Sequence, residues 1–177
     1  MPSQPLSAMV SAIKAGAYAR AYEYEVNILG SPVTYPGGMN KLVLRCESIS
    51  LPGQNIETAG DNIKIGPIRE HAFGVNYGQV SGVFLADDKL SEKTFFEDWQ
   101  RKIFRPGQFS VSYYTEYVGD MTIKQFSDKG DKGNIPGYQI KLFDVFPKEV
   151  AQLELGTANG EFLRVSVTFV YHHWEEL

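Results

Sequence analysis

Three histidines, one cysteine and a few clustered carboxylates are the side chains of this 177-residue chain that could act in catalysis or bind a metal. His172 and His173 stand side by side, with Glu175 two residues on. A metal needs convergent ligands, and adjacent residues of an extended strand point to opposite faces. The two imidazoles are therefore expected not to share an ion. His71 has no partner pattern around it and reads as a surface residue. Cys46 follows Leu42 and Leu44 on the apolar side of a predicted strand, where a free cysteine behaves as a small hydrophobe. As the single cysteine it excludes an intramolecular disulfide and a Cys-rich zinc site, which suits a reducing cytoplasm. Asp128, Asp131 and Asn134 recur every third residue. An EF-hand calcium loop instead sets oxygen ligands at alternate positions, followed by Gly and a late Glu. No glycine-rich phosphate loop, nucleophile elbow or paired-carboxylate arrangement occurs, so neither an enzyme nor a cofactor is expected.

The elements that would carry these residues are mostly strands. Tyr22, Tyr24, Val26 and Ile28 alternate with Glu23, Glu25 and Asn27, the pattern of a half-buried strand. Tyr35-Pro36-Gly37-Gly38 makes a turn, and Leu42, Leu44 and Cys46 predict the returning strand up to Leu51-Pro52-Gly53. Between Ile56 and Ile68 the apolar positions are sparse, as in strands with one wet face. Gly74, Gly78 and Gly82 fall on one face opposite Phe73, Val75 and Tyr77, a place for close approach. Ser91 predicts the cap of a helix reaching about Phe104, with Phe95, Phe96, Trp99 and Ile103 as its apolar stripe. Glu92, Glu97 and Arg101 are placed largely outside that stripe, and Pro106-Gly107 ends the helix. Val111 to Tyr117 predicts a strand, and Met121 to Gln125 pairs with Tyr138 to Leu142 across the polar loop Ser127 to Gly137. In the last strand Leu163, Val165, Val167, Phe169 and Tyr171 share a face opposite Arg164, Ser166, Thr168 and His172.

A hydrophobic content of 43% over 177 residues supports one buried core, read as a single domain over 1–177 with a loose, weakly helical arm over about 1–17. Seventeen basic against twenty-one acidic residues give −4, no excess of positive charge for gripping nucleic acid. No stretch has the length of a membrane span and no signal peptide is read, so a soluble chain without Sec export is expected.

Four segments in order carry a resemblance. They are Cys46 with Leu51-Pro52 after a strand, Phe96-Glu97-Asp98-Trp99-Gln100 on the helix, and Tyr117 to Ile123 before the hairpin loop. The last is Phe146-Pro147-Lys148-Glu149-Val150, leading through Leu153-Glu154-Leu155 into the strand that carries Phe169 and ends at Trp174. Over roughly Tyr18 to Trp174 the chain resembles the tail tube proteins of contractile-tailed bacteriophages. The resemblance implies a mainly β fold, a sandwich or barrel with one flanking helix. Strands of six copies would join into a closed inner barrel, and the rings would stack. It also implies a virion protein assembled in the host cytoplasm, with sheath, baseplate and tube-terminator partners and genomic DNA passing without tight binding. Cys46, Pro52, Phe96, Trp99, Tyr117, Phe146, Pro147, Leu155, Phe169 and Trp174 are assigned to the core. The channel lining is assigned to Glu57, Asp61, Lys64, Arg69, Glu116 and Asp120, and ring-to-ring contact to Asp128, Asp131 and Asn134. A baseplate tube initiator and a secretion-type tube share that fold. From another class, ten tyrosines and two tryptophans leave open a monomeric carbohydrate-binding β-sandwich, though the aromatics fall on apolar faces.

Overall fold

The computed structural model describes residues 10–11, 23–61, 66–126, 136–156 and 162–177. Its strands are β1 (Tyr24–Leu29), β2 (Cys46–Ile49), β3 (Gln54–Gly60), β4 (Glu70–Tyr77), β5 (Val80–Leu85), β6 (Phe104–Arg105) and β7 (Ser110–Val111). They continue with β8 (Gly119–Phe126), β9 (Pro136–Val150), β10 (Arg164–Val170) and β11 (His173–Glu176), and the helices are α1 (Met39–Val43), α2 (Ser91–Ile103) and α3 (Tyr114–Tyr117).

The main sheet runs β1-β8-β9-β10-β5-β2, with β11 added on β9. Strand β9 serves two layers. Its first half pairs with β8 and β11, and its second half pairs with β10. Between the halves Asp144 takes φ 56°, a left-handed conformation that Asp tolerates better than most side chains, and this turns the strand. The result is a sandwich of β1-β8-β9-β11 against β9-β10-β5-β2, mainly β as the sequence implies, whose sheets do not close within one chain.

The alternating patterns become the core. Val26 and Ile28 of β1, Met121 and Ile123 of β8, Ile140 and Leu142 of β9, and Val165, Val167 and Phe169 of β10 are all buried. Helix α2 adds Phe95, Phe96 and Trp99, also buried, with Phe96 5.0 Å from Phe84 and 5.7 Å from Phe169 between ring centroids. At roughly 1.5 to 3 kcal/mol per large apolar side chain, this stripe fixes the helix against the second layer. Gly82 is where close approach matters. A Cβ there would lie 3.2 Å from Phe84, 3.3 Å from Ile49 and 3.5 Å from Phe169.

Four sequence expectations give way to tertiary context. The segment before Cys46 is not a strand, because residues 39–43 form α1, which buries Leu42 while Leu44 is left 85% exposed in the following turn. Gly37 and Gly38, at φ 92° and 87°, bring the chain into that helix. The stretch from Val111 to Tyr117 is extended only at its start. Ser112 then anchors to Ile103 and Lys102 by hydrogen bonds, and Tyr114–Tyr117 closes a helical turn that sets the two tyrosine rings edge to face, 5.5 Å between centroids. Ser91 does not cap α2; it is the first helical residue, preceded by Leu90 at φ 53°. The Asp87 carboxylate takes the capping role, accepting from the backbone N–H of Ser91 at 3.0 Å and of Lys89 at 2.9 Å. Lastly, β3 has two wet faces rather than one, since every one of its residues is exposed and, among the described residues, no layer covers it; its partner β4 touches the core only through Tyr77, whose ring lies 6.1 Å from that of Tyr171.

Candidate assembly surfaces

Among the described residues the β3–β4 ribbon is the largest exposed paired element. Its register runs from Gln54 opposite Tyr77 to Gly60 opposite Glu70, with an irregularity after Glu57. Ile56 is 48% exposed, Phe73 68% and Val75 48%, which leaves a row of apolar side chains in water. Two-stranded ribbons are marginal alone, and local polar contacts help hold this one. Asn76 Nδ2 donates to Glu57 Oε1 at 3.4 Å, Thr58 Oγ1 donates to Glu70 Oε2 at 3.1 Å, and the Asp61 N–H donates to the Arg69 carbonyl at 2.9 Å. Glu57, Asp61 and Arg69 therefore share the ribbon. Asp120 lies on β8, paired with Lys141 Nζ at 2.8 Å, and Glu116 is exposed on α3. Lys64, Asp128, Asp131 and Asn134 lie outside the described residues, as does nearly all of the N-terminal arm.

A second apolar projection follows α2. Phe109 is 84% exposed at φ 49°, with the Phe104 ring 6.3 Å away, and Val111 and Tyr113 are exposed beside them. A left-handed aromatic residue holds its conformation only where the surrounding turn enforces it.

Of the residues assigned to the core, Phe96, Trp99 and Phe169 are fully buried and Pro147 is buried. Trp99 Nε1 donates to the Tyr117 carbonyl at 2.7 Å, and Tyr117 packs against Phe146 at 5.4 Å. Cys46, Pro52, Tyr117, Phe146 and Trp174 are half-buried. Leu155 departs from its assignment at 78% exposure, because β9 ends at Val150 and the chain leaves the sheet before reaching it. Burial pushes the Cys46 thiol up to about 11, so it stays protonated at neutral pH and makes a poor nucleophile.

Sequence reasoning missed the buried ionic cluster at the start of α2. Glu92 has no exposed surface, contrary to its placement outside the apolar stripe. Its Oε1 accepts from the Tyr35 hydroxyl at 2.6 Å and from the Arg45 guanidinium, and its Oε2 accepts from the Asp87 N–H at 2.8 Å. Burial and the bond to Glu92 push the Tyr35 hydroxyl well above its ordinary pKa. The signal was present, since Glu92 precedes Phe95, Phe96 and Trp99 by three, four and seven positions, the spacing of one helical face.

The histidines correct a premise. Val170 ends β10 and His173 starts β11, and across the bend between them the His172 and His173 Nδ1 atoms lie 2.9 Å apart. Strand alternation does not hold at that bend. Among the described residues no three His, Cys, Asp or Glu side chains gather as metal ligands, and no helix is long and apolar enough to cross a membrane.

Among the described residues the fold is an antiparallel sandwich with one flanking helix and an exposed ribbon, and a family profile identifies it. The profile described as phage tail tube protein matches residues 17–177. The chain belongs to that family. Solved structures share the fold of this tail tube protein. A chain of the anti-feeding prophage baseplate, six-fold symmetrised, aligns at TM-score 0.65 and 15% identity over 90% of this chain and 95% of that one. A chain of the sheath-tube complex of an extracellular contractile injection system in its extended state aligns at TM-score 0.64 and 13% identity over 99% of both chains. A chain of the anti-feeding prophage tube-terminating cap aligns at TM-score 0.64 and 12% identity over 90% of this chain and 91% of that one. No curated protein matches the chain.

Proposed function

We propose that this tail tube protein assembles into six-membered rings that stack as the inner tube of a contractile tail. The tube gives genomic DNA a path during ejection and meets sheath, baseplate and terminator proteins. The observation that carries the reading is the β3–β4 ribbon, which displays Ile56, Phe73 and Val75 to solvent on an element that the described residues leave uncovered. A second copy is the natural cover, and head-to-tail contacts between copies close into rings. In this assembly four strands from each of six copies form one inner barrel without a free edge.

At about 4.8 Å between strands and a tilt near 45°, such a barrel has a backbone diameter of about 50 Å and a channel of about 40 Å, wide enough for duplex DNA. Six copies at −4 give about −24 per ring, and a negative wall repels phosphate within a Debye length of about 8 to 10 Å. Glu57, Asp61, Lys64, Arg69, Glu116 and Asp120 are the residues proposed for that wall, and Asp128, Asp131 and Asn134 for contacts between rings. Assembly takes place in the host cytoplasm and needs no cofactor or catalytic step.

Negative-stain electron microscopy of the purified protein at rising concentration tests the reading. Long hollow tubes are expected. Isolated rings that extend only with a partner would make this chain a tube initiator, and monomers at every concentration would overturn the assembly and move the search to glycan binding.

A further inference from the structure

The bend that brings the two histidines together is also where the chain crosses from one layer to the other. Strand β10 belongs to the layer with β5, and β11 joins the other layer, on the edge of β9 opposite β8. Opposite this crossing β9 makes its own turn at Asp144, so both chains that connect the layers bend at one corner. The His172 N–H donates to the Phe143 carbonyl at 2.9 Å, and the His173 ring stacks on Phe143 at 4.6 Å between centroids, 8° from parallel.

Two Nδ1 atoms at 2.9 Å require one proton between them, because two lone pairs repel and two N–H groups repel. The surrounding charges choose the donor. Glu175 Oε1 lies 4.0 Å from His173 Nε2, so His173 can carry a proton on both nitrogens, facing Glu175 with one and His172 with the other. Lys141 Nζ sits 4.5 Å from the Phe143 centroid and is itself held by Asp120, while Asp144 engages the Tyr114 hydroxyl. With His173 donating, His172 accepts, and as it is exposed to solvent a further proton on its Nδ1 ends the contact. We propose that His172 and His173 form an acid-released clasp on the crossing between the two layers, closed with one proton between the Nδ1 atoms and opened by a second. His71, exposed on β4 and remote in register from this corner, gives an internal control.

The test is magnetic resonance of the full chain labelled with 15N-histidine, in solution or as assembled tubes, combined with amide-exchange protection at His172 and His173. At about pH 7.5 an N–H···N coupling between the two Nδ1 atoms is expected, absent by about pH 5, with protection of these amides falling about tenfold or more over that interval. His172→Phe keeps an aromatic ring but removes the acceptor, and should show the low protection at both pH values; His71→Gln should behave as the parent. Absence of the coupling at neutral pH, its persistence in acid, or protection that does not change with pH in the parent would each overturn the clasp. None of these readouts requires ring assembly, so the result stands apart from the proposed function.

Discussion

Glu92 shows how much a single side chain can organise here. It joins the Tyr35 loop, the Arg45 turn after α1 and the Asp87 backbone at the head of α2. Removing one member of a buried ionic group leaves the others desolvated and unpaired, which costs about 3 to 5 kcal/mol. Glu92→Ala should fall near the lower end, about 3 kcal/mol, because the Arg45 side chain keeps 25% exposure and retains Asp87 at 3.4 Å; chemical denaturation would read it. Asp87 adds a pH dependence. The hydrogen bond from the Ser91 N–H lowers its pKa below the usual carboxylate value against some desolvation, with help from the Lys89 N–H, the Ser91 hydroxyl and Arg45. A folded pKa lower than the unfolded one means the unfolded state takes up its proton first as pH falls. The stabilisation is thus complete above about pH 4 and lost as pH drops through the lower folded value. Asp87→Asn should flatten the fall in stability below about pH 4 while lowering stability at neutral pH, measured as thermal midpoints across an acid series.

At the scale of elements, patterns of period two and the aromatic stripe of α2 were legible in the sequence, since burial demands one apolar face whichever neighbour supplies the cover. The β1, β8, β9 and β10 alternations reappear as the core. Short elements were less legible. Leu42, Leu44 and Cys46 alternate on paper, yet two left-handed glycines and the need to bury Leu42 make α1 the better solution. Contacts at the start of β8 were invisible for the same reason: nothing in the neighbourhood of Gly119 announces a chain from ninety residues earlier. A Cβ at Gly119 would sit 2.7 Å from the Leu29 carbonyl oxygen and 3.3 Å from the backbone at Gly30 and Ser31. Backbone cannot swing aside as a side chain does, so Gly119→Ala should cost about 1 to 3 kcal/mol by forcing β1 and β8 apart. Gly53→Ala, where a Cβ meets nothing within 4 Å, should stay within about 0.5 kcal/mol in the same thermal assay.

At the scale of the whole molecule the exposed ribbon separates stability from assembly. Ile56 and Phe73 are largely solvent-facing in the single chain, so Ile56→Ser with Phe73→Ser should change the monomer's unfolding free energy by less than about 1 kcal/mol. In the proposed tube the same side chains would be buried between copies, and their loss should abolish tubes in electron micrographs at concentrations where the parent forms them. Destabilised monomers would show instead that the ribbon packs on its own chain; stable monomers that still build tubes would remove the ribbon from the interface.

The sequence by itself determined the mainly β character, the long β8–β9 hairpin, the aromatic helix and, through the order of short motifs, the tail tube family. These follow from periodicity and from local stops such as Pro52 and Pro106, which act over a few residues. Only the tertiary structure decided the bend at Asp144 that divides β9 between two layers, the pairing of Glu92 with Tyr35 and Arg45, and the meeting of His172 with His173. Each depends on where a distant strand or loop comes to rest. Such placements are fixed by packing and by the pairing of buried polar groups across the fold, which local periodicity does not encode.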